Sequence, residues 1–201
     1  RETLDDNLFT IGWARRFSPY KRPEFLFKNL NRLISIAKAN HGLQIVLAGK
    51  AHPRDIEGQA LIKQIYQYKK QLTGKVKIVI LENYDIELAK IITAGVDLWL
   101  NTPQLFNEAS GTSGMKAAHN GVPQLSTLDG WWPEAYKKNK TGWAIKESSP
   151  DELYDILEND VLPTYHQPEK WLKIQQQTIS YNASRFNSHR ALKEYIKKAY
   201  K

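Results

Sequence analysis

The chain has 201 residues, of which 41% are hydrophobic and 25% charged, enough for one sizeable core and too apolar for a disordered segment. Its formal charge of +8 is scattered, with Lys69-Lys70, Lys137-Lys138 and Lys197-Lys198 set among acids on separate segments as solvated helix faces are, and no nucleic-acid motif accompanies them. No cysteine occurs, which excludes disulfides and cysteine metal clusters, and no apolar run approaches the roughly 18 residues that a membrane-spanning helix needs.

The first residue is Arg1 rather than Met, and nothing ahead of the first apolar run resembles a signal peptide. A piece of a longer protein, folded as one domain over 1–201, is the expectation. Leu8 to Ala14 reads as a buried strand, ended by a turn that contains Pro19. A helix follows, with Leu26, Leu30, Leu33, Ile34 and Ala37 on one face and Gly42 as its stop. Leu43 to Ala48 is the second strand. Pro53 and Asp55 open a helix that buries Leu61, Ile65, Tyr68 and Leu72, and Gly74 ends it. Val76 to Leu81 is the third strand, Ile86 to Ala94 a helix closed by Gly95, and Val96 to Leu100 the fourth strand. After a glycine-rich loop and helix come strands Val122 to Thr127 and Gly142 to Ile145. Helices started by Ser149-Pro150, Pro168 and Ser188 fill 149–201.

Strands alternating with helices define an α/β chain with a doubly wound, mostly parallel, Rossmann-like sheet. Ligands of such sheets lie outside the carboxyl ends of the strands. The unusual residues fall there: Arg15, Arg16 and Lys21 after the first strand, Gly49 to His52 after the second, Glu82-Asn83-Tyr84 after the third, Asn101 to Lys116 after the fourth, and Asp129 to Trp132 after the fifth. Five loops are expected to meet on one rim.

The centre of that rim is Glu108-Ala109-Ser110-Gly111-Thr112-Ser113-Gly114-Met115-Lys116. Ser110 to Gly114 are small, so their backbone N–H groups can approach an anion, and a helix beginning near Gly114 would aim its dipole at the same point. The spacing is not the Walker pattern, because Met115 separates Gly114 from Lys116. Lys116 stands in the first turn beside Met115, Ala117 and Ala118, which reads as a desolvated amine able to attack an aldehyde. A phosphate loop joined to such an amine points to pyridoxal phosphate.

G-W-A-R-R-F-S-P-Y-K-R, A-G-K-A-H-P, L-E-N-Y, E-A-S-G-T-S-G-M-K-A-A-H-N-G and T-L-D-G-W-W-P-E-A-Y resemble the α-glucan (glycogen, maltodextrin, starch) phosphorylases from about Leu8 to the final helix. The last motif is most similar to the shorter bacterial and archaeal branch. The resemblance implies the C-terminal half of a two-domain glycosyltransferase fold in a cytoplasmic enzyme. It implies that Lys116 forms a Schiff base with pyridoxal phosphate as a tether, while the cofactor's 5′-phosphate exchanges a proton with the substrate phosphate.

By the same resemblance, Arg16 and Lys21 grip the substrate phosphate, Arg15 faces the cofactor phosphate, and Gly111, Thr112, Ser113, Gly114 and Tyr84 border the cofactor. Glu108 and Ser110 match positions that bind hydroxyls of the glucosyl unit. The implied partners are an α-1,4-glucan, inorganic phosphate, glucose 1-phosphate and an N-terminal domain supplying the rest of the pocket; a homodimer of the full-length protein is left open. Two departures stand out. Asp85 replaces an arginine of the mammalian-type motif, and Ser113-Gly114 replaces Gly-Asn. A sugar-nucleotide-dependent glycosyltransferase of the same fold, or a non-catalytic carbohydrate- or nucleic-acid-binding module, would have no need of an amine at Lys116.

Overall fold

The computed structural model describes residues 3–147 and 149–200. Among them, strands β1 (Thr10–Ala14), β2 (Gln44–Ala48), β3 (Lys77–Leu81), β4 (Leu98–Asn101), β5 (Gln124–Thr127) and β6 (Gly142–Ile145) form one sheet in the order β3-β2-β1-β4-β5-β6. Every pairing is parallel, so helical crossovers must cover both faces.

The strand sequences show why. Successive side chains of a strand point to opposite faces, and here both directions are apolar. Ile11, Trp13, Ile45, Leu47, Leu98 and Leu100 enter one core with Leu33 and Ile36 of helix α1 (Leu30–Ala39) and Ile65 of α2 (Ile56–Gln71). Ala14, Val46, Ala48 and Trp99 enter the other core, with Ile92 of α3 (Ile86–Ala94) and Ala117 of α4 (Thr112–His119).

Local signals set the helix ends. Asn29, Asp55 and Asp85 are N-caps whose side chains accept from the backbone N–H of Arg32, Gly58 and Leu88, satisfying donors that a helix start leaves free. Leu26 is not part of α1 but of a separate 3₁₀ turn, Phe25–Phe27, because the chain breaks at Asn29 to make its cap. The rim loop expected over Asp129 to Trp132 runs into a short helix, α5 (Trp132–Ala135), with Pro133 in its first turn.

The C-terminal segment is α6 (Pro150–Ile156), α7 (Leu162–Tyr165), α8 (Pro168–Gln177) and α9 (Ser188–Lys198), with wide π-type turns over Leu157–Val161 and Thr178–Ala183. It packs back on α4 and on the loop after β5: Phe186 meets Trp131 edge-on, with ring centroids 5.0 Å apart. No helix of the described residues is long and apolar enough to cross a membrane.

Candidate active site

The strand order reverses between β1 and β4, and the loops that leave their carboxyl ends diverge to form a cleft. The loop after β1 turns inward at Arg15, which is buried, and outward at Arg16, which is exposed. Lys21 closes a 3₁₀ turn, Pro19–Lys21, and is also buried. Arg22 ties this loop to the one after β4, its Nε donating to the Thr102 carbonyl (2.7 Å) and its Nη2 to that of Pro103 (2.9 Å). The Thr102 hydroxyl donates back to the carbonyls of Lys21 (3.2 Å) and Arg22 (3.0 Å).

Glu108 arrives from the β4 loop. Its Oε2 accepts from Arg15 Nη2 at 3.1 Å and also contacts Lys21 Nζ. Asp129, from the β5 loop, accepts the backbone N–H of Asn107 (3.1 Å) and Glu108 (2.9 Å) on one carboxylate oxygen, and Trp131 N–H donates to the Ser110 carbonyl at 2.9 Å. The β2 loop joins through Phe17 N–H, which donates to the Lys50 carbonyl at 3.0 Å. Tyr84, from the β3 loop, is half-buried and electrostatically coupled to Arg15: burial pushes its phenol above the ordinary value and the Arg15 charge pulls it back. Desolvation likewise lowers the Arg15 guanidinium, opposed by Glu108. Residues of all five loops thus lie close together.

Gly111 is the N-cap of α4 at φ +82, a left-handed conformation that glycine adopts without strain, and no side chain caps this end. The first-turn N–H groups of Thr112, Ser113 and Gly114 have no acceptor within the helix and no capping side chain, which is the donor set an anion can use. The helix begins at Thr112, not near Gly114, so Lys116 stands in its second turn.

Lys116 is exposed, contrary to the cramped surroundings expected. The buried face of α4 is Gly114, Ala117 and Ala118, and residues adjacent in a helical sequence do not face one another, whereas those at i and i+4 do. Lys116 therefore shares a face with Thr112. Both line an open groove of about 750 Å³ with Ile86, Ala89 and Met115. Ser110 is exposed on the rim. Ser113 Oγ accepts from Trp99 Nε1 at 3.3 Å, anchoring the helix start to the sheet.

Sequence does not single out Gln124, and it names Asn101 only as the first residue of the stretch after the fourth strand. Gln124 of β5 is buried, and its Oε1 accepts from Asn101 Nδ2 of β4 at 3.1 Å. A β-carbon built on Gly114 would lie 1.7 Å from that oxygen. A polar residue closing apolar β4 and another opening β5, both in buried strands, were the available signal.

The carbohydrate phosphorylase family model matches residues 5–137. The chain is 42% identical to maltodextrin phosphorylase of Thermococcus litoralis over 98% of its own length and 25% of that protein's. It is 42% identical to glycogen phosphorylase of Aquifex aeolicus over 98% and 31%, and 34% identical to glycogen phosphorylase of Mycobacterium tuberculosis over 98% and 25%. It thus spans about a quarter to a third of these relatives. A match across about two thirds of the chain, a range that includes the loops building this cleft, makes it a member of the carbohydrate phosphorylase family.

Proposed function

We propose that this chain is a single cofactor- and phosphate-binding domain, the C-terminal part of an α-1,4-glucan phosphorylase. The reaction is reversible phosphorolysis: a phosphate oxygen bonds to the anomeric carbon of the terminal glucosyl unit, the C1–O4 bond breaks, the proton of the phosphate passes to O4, and glucose 1-phosphate leaves a glucan one residue shorter. The observation that carries this reading is the meeting of Arg15, Lys21 and Glu108 beside the uncapped start of α4. Family membership favours it over a sugar-nucleotide-dependent transferase.

The residues present fit pyridoxal phosphate. Lys116 offers an exposed amine beside Thr112 over an open groove, the α4 start offers N–H donors, and Arg15 keeps Nε and Nη1 buried without partners. Lys116 would tether the cofactor, with Gly111 to Gly114 and Arg15 toward its phosphate and Tyr84 beside its ring. When bound, the cofactor supplies a phosphate that can give and take a proton.

The chain's own side chains do the rest. Arg15, Arg16 and Lys21 hold two phosphates together, offsetting a repulsion of roughly 4 kcal/mol per charge pair at 4 Å and an effective dielectric of 20. Glu108 and Ser110 orient the glucosyl hydroxyls. An N-terminal domain would close the cleft and exclude water.

Borohydride reduction of the full-length protein loaded with pyridoxal phosphate, followed by peptide mass mapping, tests this. A phosphopyridoxyl adduct on Lys116 is expected. Its absence, with no glucose 1-phosphate formed from maltoheptaose and phosphate, would refute the reading.

A further inference from the structure

Arg15 and Lys21 spend their charge on one atom. Glu108 Oε2 accepts from both, and the three side chains are only 8%, 9% and 10% exposed. The arrangement leaves the cations unsaturated, since Arg15 Nε and Nη1 are buried without hydrogen-bond partners. A tetrahedral oxyanion offers several acceptor oxygens and up to two charges where the carboxylate offers one of each, so it is the stronger ligand for this pair.

The geometry also lets Glu108 leave. Its backbone is fixed by the N–H bond to Asp129 (2.9 Å), while its stem runs between Gly111 and Gly130. A β-carbon on either glycine would stand 3.4 or 2.9 Å from Glu108 Cγ. With glycine at both places the side chain can turn about an anchored backbone.

We propose that Glu108 is a displaceable counter-ion that couples oxyanion binding to sugar binding. With the anion site empty, the carboxylate neutralises Arg15 and Lys21 and is not available to a sugar. An oxyanion draws the two cations off, and the released carboxylate accepts hydrogen bonds from sugar hydroxyls. Linkage then requires each ligand to tighten the other by the same factor. This rests on the phosphorylase reading, which places a glucosyl unit beside Glu108.

The test uses the full-length protein freed of pyridoxal phosphate, whose phosphate would otherwise occupy Arg15, with sulfate as an unreactive oxyanion and 1,5-anhydroglucitol as a sugar without an anomeric leaving group. Sulfate affinity is measured by calorimetry with and without the sugar. The wild type should show mutual tightening of about fivefold or more. Glu108→Gln should bind sulfate alone several-fold more tightly than the wild type and lose the coupling.

Unchanged or weaker sulfate binding in Glu108→Gln, with coupling intact, overturns the proposal and leaves the phosphorylase reading standing. A wild type that binds neither ligand overturns both. The second readout needs no variant: in a crystal structure of the wild type with sulfate on Arg15 and Lys21, Glu108 Oε2 should have left both cations. A carboxylate still bridging them overturns the proposal.

Discussion

The side-chain oxygen of Gln124 occupies the space in which a β-carbon of residue 114 would lie: the separation from an ideal Cβ on Gly114 would be 1.7 Å. Trp131 Nε1 would be 3.0 Å from the same point. A side chain at position 114, where the mammalian-type motif has Asn, would have to displace Gln124.

Gly114→Ala should therefore push Gln124 off Asn101 and lower stability by about 1–3 kcal/mol, outweighing the better helix propensity of alanine. In a Gln124→Ala background the same change should cost far less. Thermal denaturation of the four proteins measures the coupling; additive effects would show that the contact does not matter.

Arg16 and Lys21 should part company on substitution. Lys21→Ala removes a buried partner of Glu108 and should lower stability by about 2–4 kcal/mol as well as weakening phosphate use. Arg16→Ala, at an exposed position, should leave stability within about 0.5 kcal/mol while raising the phosphate KM of the full-length enzyme. Melting temperatures and phosphorolysis kinetics decide. An unchanged phosphate KM in Arg16→Ala would remove Arg16 from the site.

Tyr154 gives the fold an alkaline limit. Its hydroxyl donates to the Leu26 carbonyl (2.8 Å) and accepts from Asn29 N–H (2.9 Å), and burial pushes the phenol up to about 12. The unfolded chain ionises first, near the ordinary value of about 10, so this contribution is complete below about pH 10 and is lost as pH rises toward 12. Tyr154→Phe should melt about 1–3 kcal/mol less stable at pH 8, with a shallower decline from pH 10 to 12. Parallel pH curves for the two proteins would contradict this.

The 201 residues alone should fold and not turn over. Both faces of the sheet are covered by helices, whereas in the proposed reading an N-terminal domain closes the cleft, so without it water would reach bound phosphates. Circular dichroism with thermal melting, and assay of glucose 1-phosphate release from maltoheptaose and phosphate, test the two halves separately. A molten chain contradicts the first half, and turnover comparable to a full-length enzyme contradicts the second.

Much of this architecture was legible because parallel strands buried on both faces are short apolar runs between glycines and prolines. β6 was read to the residue, while β1 starts at Thr10 rather than Leu8. The start of α4 was misplaced because a run of small residues reads as loop, whereas a single left-handed Gly111 already begins the helix. The exposure of Lys116 is not legible from Ala117 and Ala118, which follow it in sequence but lie on the buried face of the helix. The pairing of Glu108 with Arg15 and Lys21 spans 93 and 87 residues; only the parallel pairing of β1 with β4 brings them together, and no local pattern encodes it.

The clasp between Arg22 and the Thr102–Pro103 carbonyls has a mechanical meaning. Lys21 is adjacent to one jaw of the clasp, and the Thr102 hydroxyl grips the carbonyls of both Lys21 and Arg22, so the floor on which an anion would rest cannot shift on one side alone. The β1 and β4 loops therefore move as a single plate, with the rise of the Gly111 helix start as its free edge. Hydrogen exchange should register one opening event for Arg22 and Gln104, the latter bonded through its N–H to the Tyr20 carbonyl at 2.7 Å, even though the two residues lie on different strands' loops.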